Sequence, residues 1–138
     1  MQRRVIRKLR SEFPTEWRGD YSGQMKPATE VAKNQTDFKK MWAKAHGRRY
    51  PVPPAPELPR GKMAIGIFAG ESDSRADISV TSCTEDQRRL TVSWQAAAAP
   101  PAEHAPLSGK YEQYLLKIVD RTDKKVTFTK APTAPVIP

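Results

Sequence analysis

Lys62-Met63-Ala64-Ile65-Gly66-Ile67-Phe68-Ala69-Gly70-Glu71 is the stretch that decides the fold. In an extended chain Met63, Ile65 and Ile67 share one face while Ala64, Gly66 and Phe68 share the other, and both sets are apolar. A strand without a wet face has to be covered on both sides, so this segment predicts a central strand of a layered sheet. The period of two persists downstream. Ile78 and Val80 alternate with Asp77, Ser79 and Thr81, and Leu90, Val92 and Trp94 alternate with Arg89, Thr91, Ser93 and Gln95, the pattern of strands with one wet face. Residues 84–88 between them have the length of a hairpin loop. The Ala/Pro stretch 96–106 leaves the sheet as a loop. Tyr114, Leu116 and Ile118 then alternate, and beyond the polar turn 120–124 Val126 and Phe128 resume, which predicts a last hairpin.

Upstream the period changes. Phe38, Met41, Trp42 and Ala45 fall at i, i+3, i+4 and i+7, one apolar stripe of a helix over residues 35–46, with Lys39, Lys40 and Lys44 on the wet side. Asn34 is its N-cap, Asp37 three residues on forms an acidic variant of the capping box, and Gly47 stands as the C′ glycine. Between helix and central strand, Pro51, Pro53, Pro54, Pro56 and Pro59 forbid both helix and ladder hydrogen bonds. That segment reads as a polyproline-like strap across the surface, although such segments also serve as ligands for aromatic grooves. Short strands are expected at residues 15–21, around Trp17, and at 28–33. The order gives an α+β fold: a predominantly antiparallel β-sheet with one amphipathic helix packed against it.

The chain of 138 residues holds one domain. We divide it into a disordered basic arm (1–10), an α+β body (11–130) and a proline-rich tail (131–138). Of the net charge of +9, the arm contributes +5 through Arg3, Arg4, Arg7, Lys8 and Arg10. Such an arm attracts nucleic acid or an acidic partner electrostatically, or is simply a solvated end. No apolar run follows it, so the sequence as written has no export signal and reads as cytoplasmic; a signal lying upstream would make it exported. No window has the ~18 consecutive apolar residues of a membrane span. One cysteine, Cys83, excludes an internal disulfide and any CxxC metal site.

Catalytic chemistry is thinly supplied. His46 falls at the helix C-terminus, where a cation suits the dipole, and His104 falls in the Ala/Pro loop. Cys83 reads as a small packing residue. Glu71, Asp73 and Asp77 cluster after the central strand, but without the glycine a calcium loop needs they read as a solvated loop. Arg18-Gly19-Asp20 spells an adhesion tripeptide in what looks like a strand or tight turn, and Asn34-Gln35-Thr36 matches a glycosylation acceptor where a helix cap is expected. Trp94, Tyr114 and Phe128 follow the core period, which assigns them to packing ahead of base stacking. Neither an enzyme nor a cofactor is expected.

Several segments between Tyr21 and Lys130 resemble the C-terminal domain family of the protease-complex subunit PrcB. They are a polar strand leading into Ser22-Gly23, the helix pattern Phe38-Lys39-Lys40-Met41-Trp42, the proline-rich connector, and the central strand running into Glu71. Ile78-Ser79-Val80, the strand at 89–95 and Tyr114-Leu115-Leu116-Lys117-Ile118 continue the likeness. Where the family places Pro-Thr-Gly-Gly-Tyr, this chain has Ser72-Asp73-Ser74-Arg75-Ala76-Asp77; if that loop carries partner recognition, recognition here is altered. The resemblance implies a non-catalytic protein, typically exported and often a lipoprotein, that associates with and stabilises a protease. It carries over no catalytic residues.

These readings converge on a protein-binding module whose surface is made by proline-braced loops at one end of the sheet: Tyr50, Pro51, Pro53, Pro54, Glu71, Asp73, Arg75, Asp77, Pro100, Pro101 and His104. Rigid loops lose less entropy on binding. The alternative is an electrostatic nucleic-acid binder using the basic arm.

Overall fold

The helix forms where its capping chemistry and apolar stripe coincide. In the computed structural model, which describes residues 15–101 and 109–131, α1 spans Gln35–Ala45. Asn34 Oδ1 accepts from the Asp37 N–H at 2.8 Å, and the Asn34 side-chain amide donates to the Asp37 carboxylate at 3.2 Å. Phe38, Met41, Trp42 and Ala45 are all buried, as their spacing demands.

Among the described residues there are seven strands, β3 to β7 where alternation placed strands and β1 and β2 within the short segments expected: β1 (Glu16–Gly19), β2 (Ala28–Ala32), β3 (Lys62–Ser72), β4 (Ala76–Glu85), β5 (Arg89–Ala98), β6 (Tyr111–Asp120) and β7 (Lys125–Lys130). They build two sheets, ordered β1-β6-β3-β2 and β4-β5-β7. Every pairing between these strands is antiparallel except β5 with β7, so the fold is α+β with mainly antiparallel sheets. β3 lies between β6 and β2 with Met63 to Phe68 buried without interruption, because each of its faces meets a different layer. Ala64 and Phe68 pack with Phe38, Met41, Trp42, Tyr114 and Leu116 beneath the helix. Met63, Ile65 and Ile67 face the second sheet, against Leu90 and Val92 or Ile78 and Trp94. The result is three layers: helix, four-stranded sheet, three-stranded sheet.

Two expectations are corrected here. β6 and β7 do not form a hairpin: the chain leaves β6 in the first sheet, turns through 121–124 and enters the second sheet parallel to β5, with Leu90 opposite Val126 and Val92 opposite Phe128. That register places Val126 and Phe128 over the inter-sheet core, which pairing with β6 would not. Gly47 does follow the helix cap His46, but its φ is not positive. Its missing side chain matters because a Cβ would lie 2.6 Å from the Ser22 carbonyl oxygen. The residue is there for close approach, not for a left-handed turn.

The proline strap runs back along the helix. The Trp42 indole N–H donates to the Pro53 carbonyl at 2.8 Å, and Gln35 clamps the far end, donating to the Pro56 carbonyl at 2.9 Å and accepting from the Leu58 N–H at 2.6 Å. Ala55 and Leu58 pack onto the helix core. The loop between β4 and β5 closes as expected, with Asp86 accepting from the N–H groups of Arg88 and Arg89. The predicted arm (1–10) and all of the predicted tail (131–138) except Ala131 lie outside the described residues.

Candidate functional site

The end of the sheets where β3, β5 and α1 finish and β4 and β6 begin collects most of the loop residues singled out in the sequence. Gly70, at φ +85°, lets β3 turn close against Pro27, and the Glu71 N–H then donates to the Met25 carbonyl at 2.9 Å. Asp73 pairs with Lys110 at 2.5 Å. Arg75 is the centre of this end: its Nε donates to Asp20 at 3.0 Å, one terminal nitrogen donates to the Pro100 carbonyl at 3.2 Å, and the other lies 3.7 Å from Asp77. The Ala99 N–H donates back to the Arg75 carbonyl at 3.1 Å. Gln113 holds Asp20 from below at 2.8 Å and accepts from the Ala76 N–H. Asp20, Arg75, Asp77 and Gln113 line, with Arg18 and Tyr114, a small cleft of about 140 Å³.

A second network sits behind the first. The Glu112 carboxylate is 1 % exposed, yet it is fully engaged. Arg48 donates two bonds to it, Nε at 2.6 Å, and the Gly23 N–H adds a third at 3.0 Å. The Arg48 bonds hold the Glu112 carboxyl below the usual carboxylate range against the opposing effect of burial, and the same pairing raises Arg48. Ser22, also buried, donates its N–H to the Glu112 carbonyl and accepts from the Gln24 N–H. The segment 20–25 is thereby tied to the turn after the helix, and Tyr50 leaves from that turn almost wholly in solvent, at 98 % exposure.

The structure thus brings Tyr50, Pro51, Glu71, Asp73, Arg75, Asp77, Pro100 and Pro101 to one end. Pro53 and Pro54 are not there, because the strap carries them along the helix flank abreast of Trp42. His104 and the arm residues Arg3, Arg4, Arg7, Lys8 and Arg10 lie outside the described residues. The sequence marks Asp20 as the end of the Arg18-Gly19-Asp20 tripeptide, not for this role, and does not mark Arg48, Glu112 or Gln113. Glu112 and Gln113 interrupt no apolar run and bond to residues 64 and 93 positions away, a pairing that periodicity does not encode.

The candidate nucleophiles and bases stand apart. His46 is buried, its ring tilted against those of Trp42 and Tyr114, with Nδ1 2.9 Å from the Trp42 carbonyl oxygen. A carbonyl only accepts, so Nδ1 carries the proton and the ring caps the helix end from a buried position. Cys83 is exposed on β4, contrary to the packing role expected for it, and the desolvation it does feel raises its thiol pKa. It lines an open groove of about 420 Å³ with Lys62, Glu85, Leu90 and Asp120 at the other end of the sheets. Among the described residues no group of three or more His, Cys, Asp or Glu could hold a metal ion, and no helix is long and apolar enough to cross a membrane. Arg18-Gly19-Asp20 runs from β1 into the bend after it, where Gly19 lies against the Tyr114 ring and Asp20 is held by Arg75 and Gln113. Compared with family models, with curated proteins and with solved structures, the chain gives no match.

Proposed function

We propose that this protein is a non-catalytic binding module for another protein, and that it docks through the end of the sheets built around Arg75, with Tyr50 beside it. One observation carries the reading: loops far apart in sequence are fixed before any partner arrives, those around residues 20, 75 and 100 to one another through Arg75, and the turn after the helix to β6 through Arg48 and Glu112. Loops already ordered bind without the entropic cost of immobilisation. The likeness to PrcB supports a protease complex as the kind of partner that is stabilised. A catalytic role is disfavoured by chemistry. Arg75 and Glu112 spend their charge on structural partners, and His46 spends its Nδ1 proton on the helix end.

The test is a pull-down from the native host with the intact chain, the Arg75→Ala variant and a chain lacking residues 1–10. The truncated chain should retain the partner at moderate salt, and R75A should lose it while still folding. The same three proteins titrated into labelled DNA and RNA separate the alternative reading. Losing three phosphate contacts would flatten the slope of log affinity against log salt by about 2.7 on duplex DNA. Tight nucleic-acid binding that collapses on truncation would refute the protein-partner reading.

A further inference from the structure

The helix and its strap form the basic face of the molecule, and the most exposed large apolar side chain stands on it. Residues 33–61 contain seven Lys and Arg against Asp37 and Glu57, a net charge of +5. Among the described residues two carboxylates from elsewhere form ion pairs with this layer, Glu30 with Lys44 and Glu112 with Arg48, and Glu71 acts on Arg48 through space. Lys39, Lys40 and Arg49 are exposed and have no ion pair among the described residues. At 100° per residue, Lys39 projects next to Gln35 and Trp42, the two residues that hold the strap, and Lys40 lies further out on the same wet face.

On that face Tyr50 is 98 % exposed and Val52 43 %. Neither is a loose chain end. The strap carrying them is fastened at Pro53 by Trp42, at Pro56 and Leu58 by Gln35, and by the packing of Ala55 and Leu58; upstream, Arg48 is held by Glu112 and the Arg49 N–H donates to the His46 carbonyl at 3.0 Å. A rigid aromatic beside an arginine is the combination that dominates binding energy at protein interfaces. Other occupants fit less well. A lipid surface asks for a broad apolar face, and here Met25, Tyr50 and Val52 are the exposed large apolar residues among those described. A single nucleic-acid strand asks for successive aromatic platforms, and Tyr50 is the one aromatic on the strap.

We infer that Tyr50 is the anchor of the interface, and that the partner offers it an apolar pocket rimmed by carboxylates that meet Arg49 and Lys39. This rests on the reading of the protein as a protein-binding module and adds the chemistry of the partner.

Photo-crosslinking in the native host tests it, using the full chain with benzoylphenylalanine placed singly at position 50, at 73 on the loop end, or at 129 on the outer face of the three-stranded sheet. Crosslinks from 50, absent from 129, should map to a protein segment rich in Asp and Glu, and their yield should fall in the K39E/R49E background. The mapped segment, made as a peptide, should bind the Y50A variant roughly 30-fold more weakly than the parent. A crosslink from 50 to lipid, to nucleic acid or to a segment without acidic residues overturns the inference. So does equal binding of the peptide by Y50A. Crosslinks from 73 but not from 50 overturn the anchor while leaving a protein partner at the loop end; silence at both positions overturns the anchor and the binding module together.

Discussion

Trp42 joins the helix to the sheet below it and to the strap beside it, so two substitutions at this position separate those roles. Its ring is 7 % exposed, sits edge-on to Trp17 at 5.4 Å and to Phe38 at 6.1 Å, and its N–H is the donor for Pro53. Trp42→Ala removes the largest side chain of the helix core. Such truncations cost about 3 to 5 kcal/mol, and losing two aromatic contacts along with the strap bond puts this one near the upper end. Against a total of about 5 to 15 kcal/mol the domain would be marginal. At roughly 3 to 6 °C per kcal/mol for a chain of this size, the melting temperature should fall by roughly 15 to 30 °C. Trp42→Phe keeps most of the apolar volume but strands the Pro53 carbonyl, and should cost about 1 to 2 kcal/mol. The sharper readout for W42F is limited trypsin digestion, in which cleavage after Arg49 should accelerate as the strap lifts while cleavage within the sheets stays slow. A loss below about 2 kcal/mol for W42A in urea titrations, or unchanged cleavage after Arg49 in W42F, would refute the packing described for the helix and strap.

Two further expectations follow from the loop end. Glu112→Gln should destabilise the fold by about 1 to 3 kcal/mol near neutral pH, since charge-assisted bonds from Arg48 and Gly23 are weakened. The folded pKa of Glu112 is lowered, so its contribution is present above the unfolded value of about 4.3 and is lost as pH falls through the lower folded value. Urea midpoints of parent and E112Q should therefore converge in acid; a constant gap down to pH 2 would contradict the assignment. Gly47→Ala places a Cβ 2.6 Å from the Ser22 backbone oxygen and should cost about 1 to 3 kcal/mol, read as a lowered urea midpoint with unchanged slope. A neutral result would mean that the 22–25 segment moves freely away from the helix turn.

What the sequence revealed and what it hid divide along the range of the interactions. The capped helix, the doubly covered strand at 63–68 and the β4–β5 hairpin all follow from neighbours within a few residues, and all are present. Alternation at Val126 and Phe128 correctly marks a strand, but alternation reports faces and not partners, and the partner turned out to be β5. The core period of Trp94 marks it for packing but does not say against what; it lies between the two sheets, because the second layer is a sheet of its own. At the loop end, Tyr50 and Arg75 were visible as members of proline-rich or charged loops. The residues that fix them, Asp20, Glu112 and Gln113, look like ordinary surface polar residues until the fold brings them together.

The edge position of β1 has a consequence in time. Among the described residues its strand partner is β6, and Glu16 meets Lys117 across 101 residues of chain. At synthesis rates of about 5 to 20 residues per second, roughly 5 to 20 s separate the two on the ribosome. During that interval Trp17, whose ring belongs against Phe38 and Trp42, has no strand to hold it in place. The helix, the strap and the β2–β3 pair can assemble first, since their contacts span a few tens of residues, but the four-stranded sheet closes only when β6 emerges and slots between β1 and β3. A topology so dominated by distant pairings folds slowly once released, too. β1 is thus the last piece of its sheet to be secured although it is the first of the four described strands to be made.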